Sequence, residues 1–145
     1  MKKLLIVTPH LSTGGAPQVT ANKVALLKDE FELMVVEHVF AAWKFVVQRN
    51  RIINLVGNDR FKSLGENKTQ EFKEIVEAFK PDVISMEEFP EMFMSNELSD
   101  WVYREDRNYT IIETTHDSSF NPSNKKYTPD KFVFVSPYNT MKYLH

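Results

Sequence analysis

Apolar residues in this chain fall into short blocks separated by polar turns. Leu4-Leu5-Ile6-Val7 is uninterrupted and ends at Thr8-Pro9, which reads as a strand buried on both faces. Pro17 then opens a helix predicted to run through Lys28. Its residues Val19, Ala21, Val24, Ala25, Leu26 and Leu27 put apolar positions on most of its faces, as in a helix packed on a sheet. Residues 31–37, Phe31-Glu32-Leu33-Met34-Val35-Val36-Glu37, predict a second strand. Residues 40–48 fit two patterns: Phe40, Trp43 and Val47 a helical face, Phe45-Val46-Val47 a strand. Arg51-Ile52-Ile53-Asn54-Leu55-Val56 is expected as a strand, ended by Gly57-Asn58-Asp59 and followed by a polar loop over residues 58–68.

The clearest helix is 69–80, where Phe72, Ile75, Val76 and Phe79 recur at i, i+3, i+4 and i+7. Asn67 with Gln70 suggests a capping pair, and Pro81 stops the helix. Val83-Ile84-Ser85-Met86 is a short strand, and Glu87-Glu88-Phe89-Pro90-Glu91 is the loop after it. Met94, Leu98, Trp101 and Val102 mark a helix over about 92–105. Residues 109–115 form a strand with His116-Asp117-Ser118-Ser119 at its end. Residues 121–130 form a loop, and Phe132-Val133-Phe134-Val135 is the last strand. Ser136-Pro137 starts a further helix, expected to continue past His145. Strands alternating with helices imply an α/β fold: a mostly parallel, doubly wound sheet with helices on both faces. Ligands in such folds bind at the carboxyl ends of the strands. Topology alone would bring Thr13-Gly14-Gly15, Glu87-Glu88 and His116-Asp117 to that edge.

At 145 residues one domain is the natural count, and 42% hydrophobic residues suffice for a core. A net charge of −2 supplies no basic field for nucleic acid. Met1-Lys2-Lys3 before Leu4 is superficially like a signal peptide, but the apolar run is too short and Pro9-His10 breaks it. No run approaches the roughly 20 apolar residues of a membrane span. The absence of cysteine excludes disulfides, thiolate nucleophiles and Cys-ligated zinc. Cytoplasm is the default compartment, with a peripheral position at a membrane surface as a variant of it.

Gly14 and Gly15, between strand and helix, read either as a tight turn or as a place where a phosphate or substrate approaches free N–H groups. The loop has neither Gly-x-Gly-x-x-Gly spacing nor the Lys-Ser/Thr of a P-loop, and Glu37 only loosely matches a ribose-binding acid. His116, directly after a strand, can donate to a substrate hydroxyl or carbonyl, or serve as a loop histidine satisfied by backbone. His116, Asp117 and Ser118 lack the nucleophile elbow of a hydrolase. Glu87 and Glu88 could act as a base or bind sugar hydroxyls, although acidic loop residues are more often solvated. His10, His38, His116 and His145 show no metal-ligand spacing, so no metal site is expected. Met86, Met92 and Met94 with Phe89 and Phe93 read as core or a groove wall.

Leu4-Leu5-Ile6-Val7-Thr8 followed by Thr13-Gly14-Gly15-Ala16-Pro17 resembles the opening of the family 4 retaining glycosyltransferases of GT-B fold. Lys80-Pro81-Asp82-Val83-Ile84, Glu113-Thr114-Thr115-His116-Asp117 and Asp130-Lys131-Phe132-Val133-Phe134-Val135-Ser136 are similar to later stretches of that family, in order. The resemblance implies a Rossmann-like, acceptor-side N-terminal half of a two-domain enzyme, with residues 1–145 as one domain and the C-terminal donor domain absent. It implies transfer of a sugar from a nucleotide-diphosphate sugar to an acceptor with retained configuration, without metal and without a cofactor beyond that donor substrate.

Under the same resemblance, Gly14 and Gly15 would form the loop approaching the donor diphosphate and the acceptor. His116 would be the catalytic contact to the donor sugar, and Glu87, Glu88 and Asp117 would face the acceptor. The family's Glu-x7-Glu belongs to the other half; Glu66/Glu74 and Glu97/Glu105 match that spacing by chance. The implied partners are the donor-binding domain and a carbohydrate, glycan, lipid or protein acceptor, and the chain alone is expected to be inactive. The alternative is a stand-alone Rossmann-like domain that binds a small anionic ligand or a partner protein, with a homodimer over the uncovered strand ends.

Overall fold

A computed structural model of the chain describes residues 1–12, 15–39, 47–117, 119–135 and 141. The strands are β1 (Lys3–Thr8), β2 (Glu32–Glu37), β3 (Phe61–Ser63), β4 (Val83–Met86), β5 (Thr110–Thr115) and β6 (Lys131–Phe134). The helices are α1 (Gly15–Leu27), α2 (Val47–Val56), α3 (Lys68–Phe79) and α4 (Asn96–Val102). The sheet runs β3-β2-β1-β4-β5-β6, and every pairing is parallel. This is the 3-2-1-4-5-6 order of a doubly wound, Rossmann-like fold.

The central strand β1 explains why the core has two halves. Side chains of a strand alternate between faces. Leu5 and Val7 join Phe72, Val76 and Phe79 of α3 and Leu98 and Val102 of α4 on one face. Leu4 and Ile6 join Ala21 and Val24 of α1 and Ile52 of α2 on the other. Both faces of β1 are therefore covered, which accounts for its unbroken apolar run. Each large side chain buried there contributes roughly 1.5–3 kcal/mol.

Several expectations are corrected. Residues 51–56 belong to α2 and not to a strand. Ile52, Leu55 and Val56, at i, i+3 and i+4, turn together onto the core cluster shared with α1, and that packing overrides the strand preference of the β-branched pair. Gly57 ends α2 at φ 89, a left-handed conformation that favours glycine. The stretch read as a polar loop contains a 3-10 turn at Asn58–Arg60 and the short edge strand β3.

The helix α1 starts two residues before Pro17, and Val19 and Leu26 are exposed, so its packed face is narrower than expected. Asn67 precedes α3 without a side-chain cap; instead the Glu71 carboxylate accepts from Gly65 N at 3.1 Å. The helix expected over 92–105 is shortened at both ends. Pro90–Met92 forms a separate 3-10 turn, Ser95 caps α4 by accepting from Leu98 N at 3.2 Å, and α4 ends at Val102. Residues 40–46 and the helix expected from Ser136 lie outside the described residues.

Candidate functional site

Because all six strands are parallel, the loops after β1, β4 and β5 leave from one edge. The chain order reverses between β1 and β4, which opens a crevice there. A cavity of about 260 Å³ occupies it. Thr8, Pro9, His10, Ala16 and Pro17 line it from the β1–α1 side, Glu87, Glu88, Met92 and Phe93 from the loop after β4, and Asp117 from the end of β5. Of the three expected loops, the flanks of the first (His10, Ala16 and Pro17), Glu87-Glu88 and Asp117 thus meet here; Thr13 lies outside the described residues. Gly15 is the first residue of α1, and a Cβ there would meet no described atom within 4 Å; close helix packing does not demand glycine at this position. Gly14 and Ser118 lie outside the described residues.

The rim is held by buried glutamates rather than by solvated ones. Glu88, expected more often to be solvated, is only 7% exposed. It accepts from Thr115 Oγ1 at 2.7 Å and from His116 N at 3.0 Å, fastening the end of β5 to the loop after β4. Glu87 is 1% exposed. Its Oε1 accepts from Lys23 Nζ of α1 at 2.6 Å and from Ser85 Oγ at 3.1 Å. Burial acts to raise the Glu87 carboxyl, but the facing His116 and the charge and hydrogen bond of Lys23 outweigh it and hold the carboxyl below its ordinary value.

Glu37, at the end of β2, is fully buried and fixed from three directions. It accepts from Leu11 N at 2.6 Å, from Arg49 Nε at 2.7 Å and from Ser63 Oγ at 2.5 Å. These bonds leave it a structural tie, not a ribose ligand. The tie positions Leu11, and so the loop that leads into α1.

His116 does not line the cavity. Its side chain is 11% exposed, and Nε2 lies 3.7 Å from Glu87 Oε2, beyond hydrogen-bond distance. Both atoms are buried without any hydrogen-bond partner. Asp117 lines the cavity and accepts from Ser119 N at 2.7 Å. Of the methionines and phenylalanines read together, Met86, Phe89 and Met94 are core, whereas Met92 and Phe93 form the cavity wall.

Sequence reasoning missed Lys23, His38 and Arg49. His38 follows β2 and packs edge-on to Phe93 with ring centroids 5.3 Å apart; burial, then the Lys68 charge, lowers its pKa to about 4. A second buried group lies under the loop before β6. Lys125 Nζ donates to Glu91 at 2.8 Å and lies 3.0 Å from Glu113 Oε1, while the Tyr103 hydroxyl donates to Glu113 Oε2. Burial pushes Glu113 up to about 7 against the Lys125 charge.

A larger hollow of about 440 Å³ opens at the opposite edge, among Lys80, Asp82, Trp101 and Arg104. Its arginine is already engaged, stacked over Trp101 at 4.3 Å and donating to Trp101 O at 2.8 Å. Among the described residues no helix is long and apolar enough to cross a membrane.

No protein-family model matches the chain, and no curated protein matches it. Solved structures similar in chain path include dTDP-glucose 4,6-dehydratase from Bacillus anthracis str. Ames in complex with NAD, at 9% identity and TM-score 0.48, covering 97% of this chain and 47% of that one. L-threonine 3-dehydrogenase from Trypanosoma brucei matches at 17% identity and TM-score 0.48, covering 95% of this chain and 45% of that one. The chain thus spans about half the length of these structures. At such similarity they carry no inference about chemistry, and the fold assignment rests on the sheet order.

Proposed function

We propose that the chain is the acceptor-side half of a retaining glycosyltransferase, which takes a sugar from a nucleotide-diphosphate donor held chiefly by a second, donor-binding lobe. The observation that carries this reading is the lining of the cavity at the switch point. Glu87 and Glu88 close its floor through the buried bonds described above, and the half-buried carboxylate of Asp117 stands opposite an apolar wall of Pro9, Pro17, Met92 and Phe93. Carboxylates accept hydrogen bonds from hydroxyls, and an apolar wall suits the C–H face of a sugar ring. No lysine or arginine is among the described lining residues, so a diphosphate placed there would face repulsion. The volume also falls below the roughly 300 Å³ at which drug-sized ligand pockets begin, leaving room for one ring rather than for a nucleotide sugar. The positive potential that a departing diphosphate requires must then come mainly from the other lobe. The same carboxylates weigh against a stand-alone domain for a small anion.

The reading is tested by sugar transfer. The 145-residue chain alone should give no turnover, and the chain joined to a donor-binding domain should transfer sugar to a hydroxyl-bearing acceptor. In the joined enzyme Phe93→Ala should raise the acceptor KM about tenfold, the equivalent of about 1.4 kcal/mol. Turnover by the isolated chain, or an acceptor KM indifferent to Phe93, would overturn it.

A further inference from the structure

The pairing of Glu87 with His116 leaves two buried polar atoms facing each other with nothing else to bond. We infer that Glu87 is the positioning residue for His116, fixing the ring proton on Nε2 and so leaving Nδ1 as the hydrogen-bond acceptor of the ring. What Nδ1 meets rests on the proposed function; the positioning itself does not.

The chemistry follows from which partners can donate. Glu87 Oε1 is taken by Lys23 Nζ at 2.6 Å and Ser85 Oγ at 3.1 Å. Oε2 is left with His116 Nε2 at 3.7 Å as its neighbour, and neither atom has another partner. An ionised carboxylate accepts only. A bare nitrogen lone pair opposite it would be repelled, so the proton belongs on Nε2, where it points at Oε2 and stabilises the charge. The His116 backbone is fixed by its N–H bond to Glu88 Oε2 at 3.0 Å, and the ring itself is confined by burial, at 11% exposure. The charged groups around the imidazole are thus Glu87 and Glu88 from the loop after β4, Lys23 from α1 behind Glu87, and the adjacent Asp117. With the proton held on Nε2, Nδ1 is the acceptor nitrogen of the ring.

Nitrogen-15 NMR of the His116 ring in the 145-residue chain, at a pH where the imidazole is neutral, reads the tautomer directly. Wild type should show the Nε2–H form in excess. Glu87→Gln should invert it. Lys23 is an obligate donor, so the amide oxygen would turn toward Lys23 and the amide NH2 would turn toward Nε2, driving the proton to Nδ1. A wild-type ring protonated on Nδ1, or a folded Glu87→Gln chain with an unmoved tautomer, would overturn the assignment. If that variant does not fold, wild type decides the matter by comparison with free histidine: an Nε2–H excess beyond the preference that the free side chain already has supports the assignment, and an equal or smaller one overturns it.

In the joined transferase, Glu87→Gln should lower kcat at least tenfold with little change in acceptor KM. An inverted tautomer with unchanged kcat would leave the positioning role standing and would sink the catalytic reading of His116 instead.

Discussion

Removing Arg49 probes how the rim of the site is built. Its guanidinium donates to Glu37 from Nε at 2.7 Å and from Nη2 at 3.0 Å, and the two side chains are 10% and 0% exposed. Arg49→Met keeps most of the packing volume but leaves a buried carboxylate with only the Leu11 amide and the Ser63 hydroxyl as the remaining named donors. Breaking one side of such a buried pair costs about 3–5 kcal/mol. At about 2–4 °C per kcal/mol for a chain of this size, the low end corresponds to a fall in Tm of about 6–12 °C.

Glu37→Leu combined with Arg49→Met should cost less than the sum of the two single changes. The charge is then gone, and what remains is the loss at the Leu11 amide and the Ser63 hydroxyl, about 1–3 kcal/mol. Urea unfolding of the four chains closes the cycle, with an expected coupling of at least about 2 kcal/mol. Asp29→Ala, which removes only an exposed partner of Lys28, serves as the control and should move stability by no more than about 0.5 kcal/mol. A cost below about 1 kcal/mol for Arg49→Met, or additive single changes, would refute the idea that this pair ties the loop before α1.

Three further outcomes are expected. Glu113, raised to about 7, is protonated in the fold at pH values where the unfolded chain has lost that proton. Its stabilising contribution is therefore full below about pH 4.5 and lost as pH rises through 7. His38, lowered to about 4, has the opposite sign: stability lost to it at low pH is recovered between about 4 and 6.5. The two slopes oppose each other, so Glu113→Gln should steepen the rise in unfolding free energy from pH 5 to 6.5 and abolish the decline near pH 7; superimposable profiles in urea titrations would count against the buried-carboxyl account. Lys80, left-handed at φ 54 after α3, should be stabilised by about 1 kcal/mol on conversion to glycine, read as a higher urea midpoint at unchanged slope. Phe72→Ala, at a fully buried position among the side chains of α3 and α4, should cost about 3–5 kcal/mol in the same assay.

The legible parts of the fold were those where one local pattern sufficed. β1, β2 and β4 announce themselves as short apolar runs because a parallel sheet covered on both faces needs no alternation; β6 reads as one too, although it is an edge strand with Phe132 and Val133 exposed, and β5 shows only the Ile111-Ile112 pair. The stripe of α3 is clear because its opposite face is solvated. α2 was misread because Ile52-Ile53 and Leu55-Val56 satisfy both periods, and only packing against α1 decides between them. β3 went unseen because a three-residue edge strand with Lys62 at its centre carries no pattern of its own.

At the site, the meeting of the three loops followed from topology. The burial of Glu87 and Glu88 did not, since a carboxylate sequence says nothing of a partner such as Lys23, 64 positions away. Glu37 drew attention as a strand-end acid, yet the residue that explains it, Arg49, sits in α2 between the ambiguous stretch 40–48 and the stretch 51–56 expected as a strand.

The most direct test of the account is an amide NMR titration of the chain with a neutral methyl glycoside and, separately, with a nucleoside diphosphate. The glycoside should shift Ala16, Glu88, Phe93 and Asp117 together, and the diphosphate should leave them unmoved. Shifts at those residues from the diphosphate, with no response to any glycoside, would contradict the claim that this rim recognises hydroxyls.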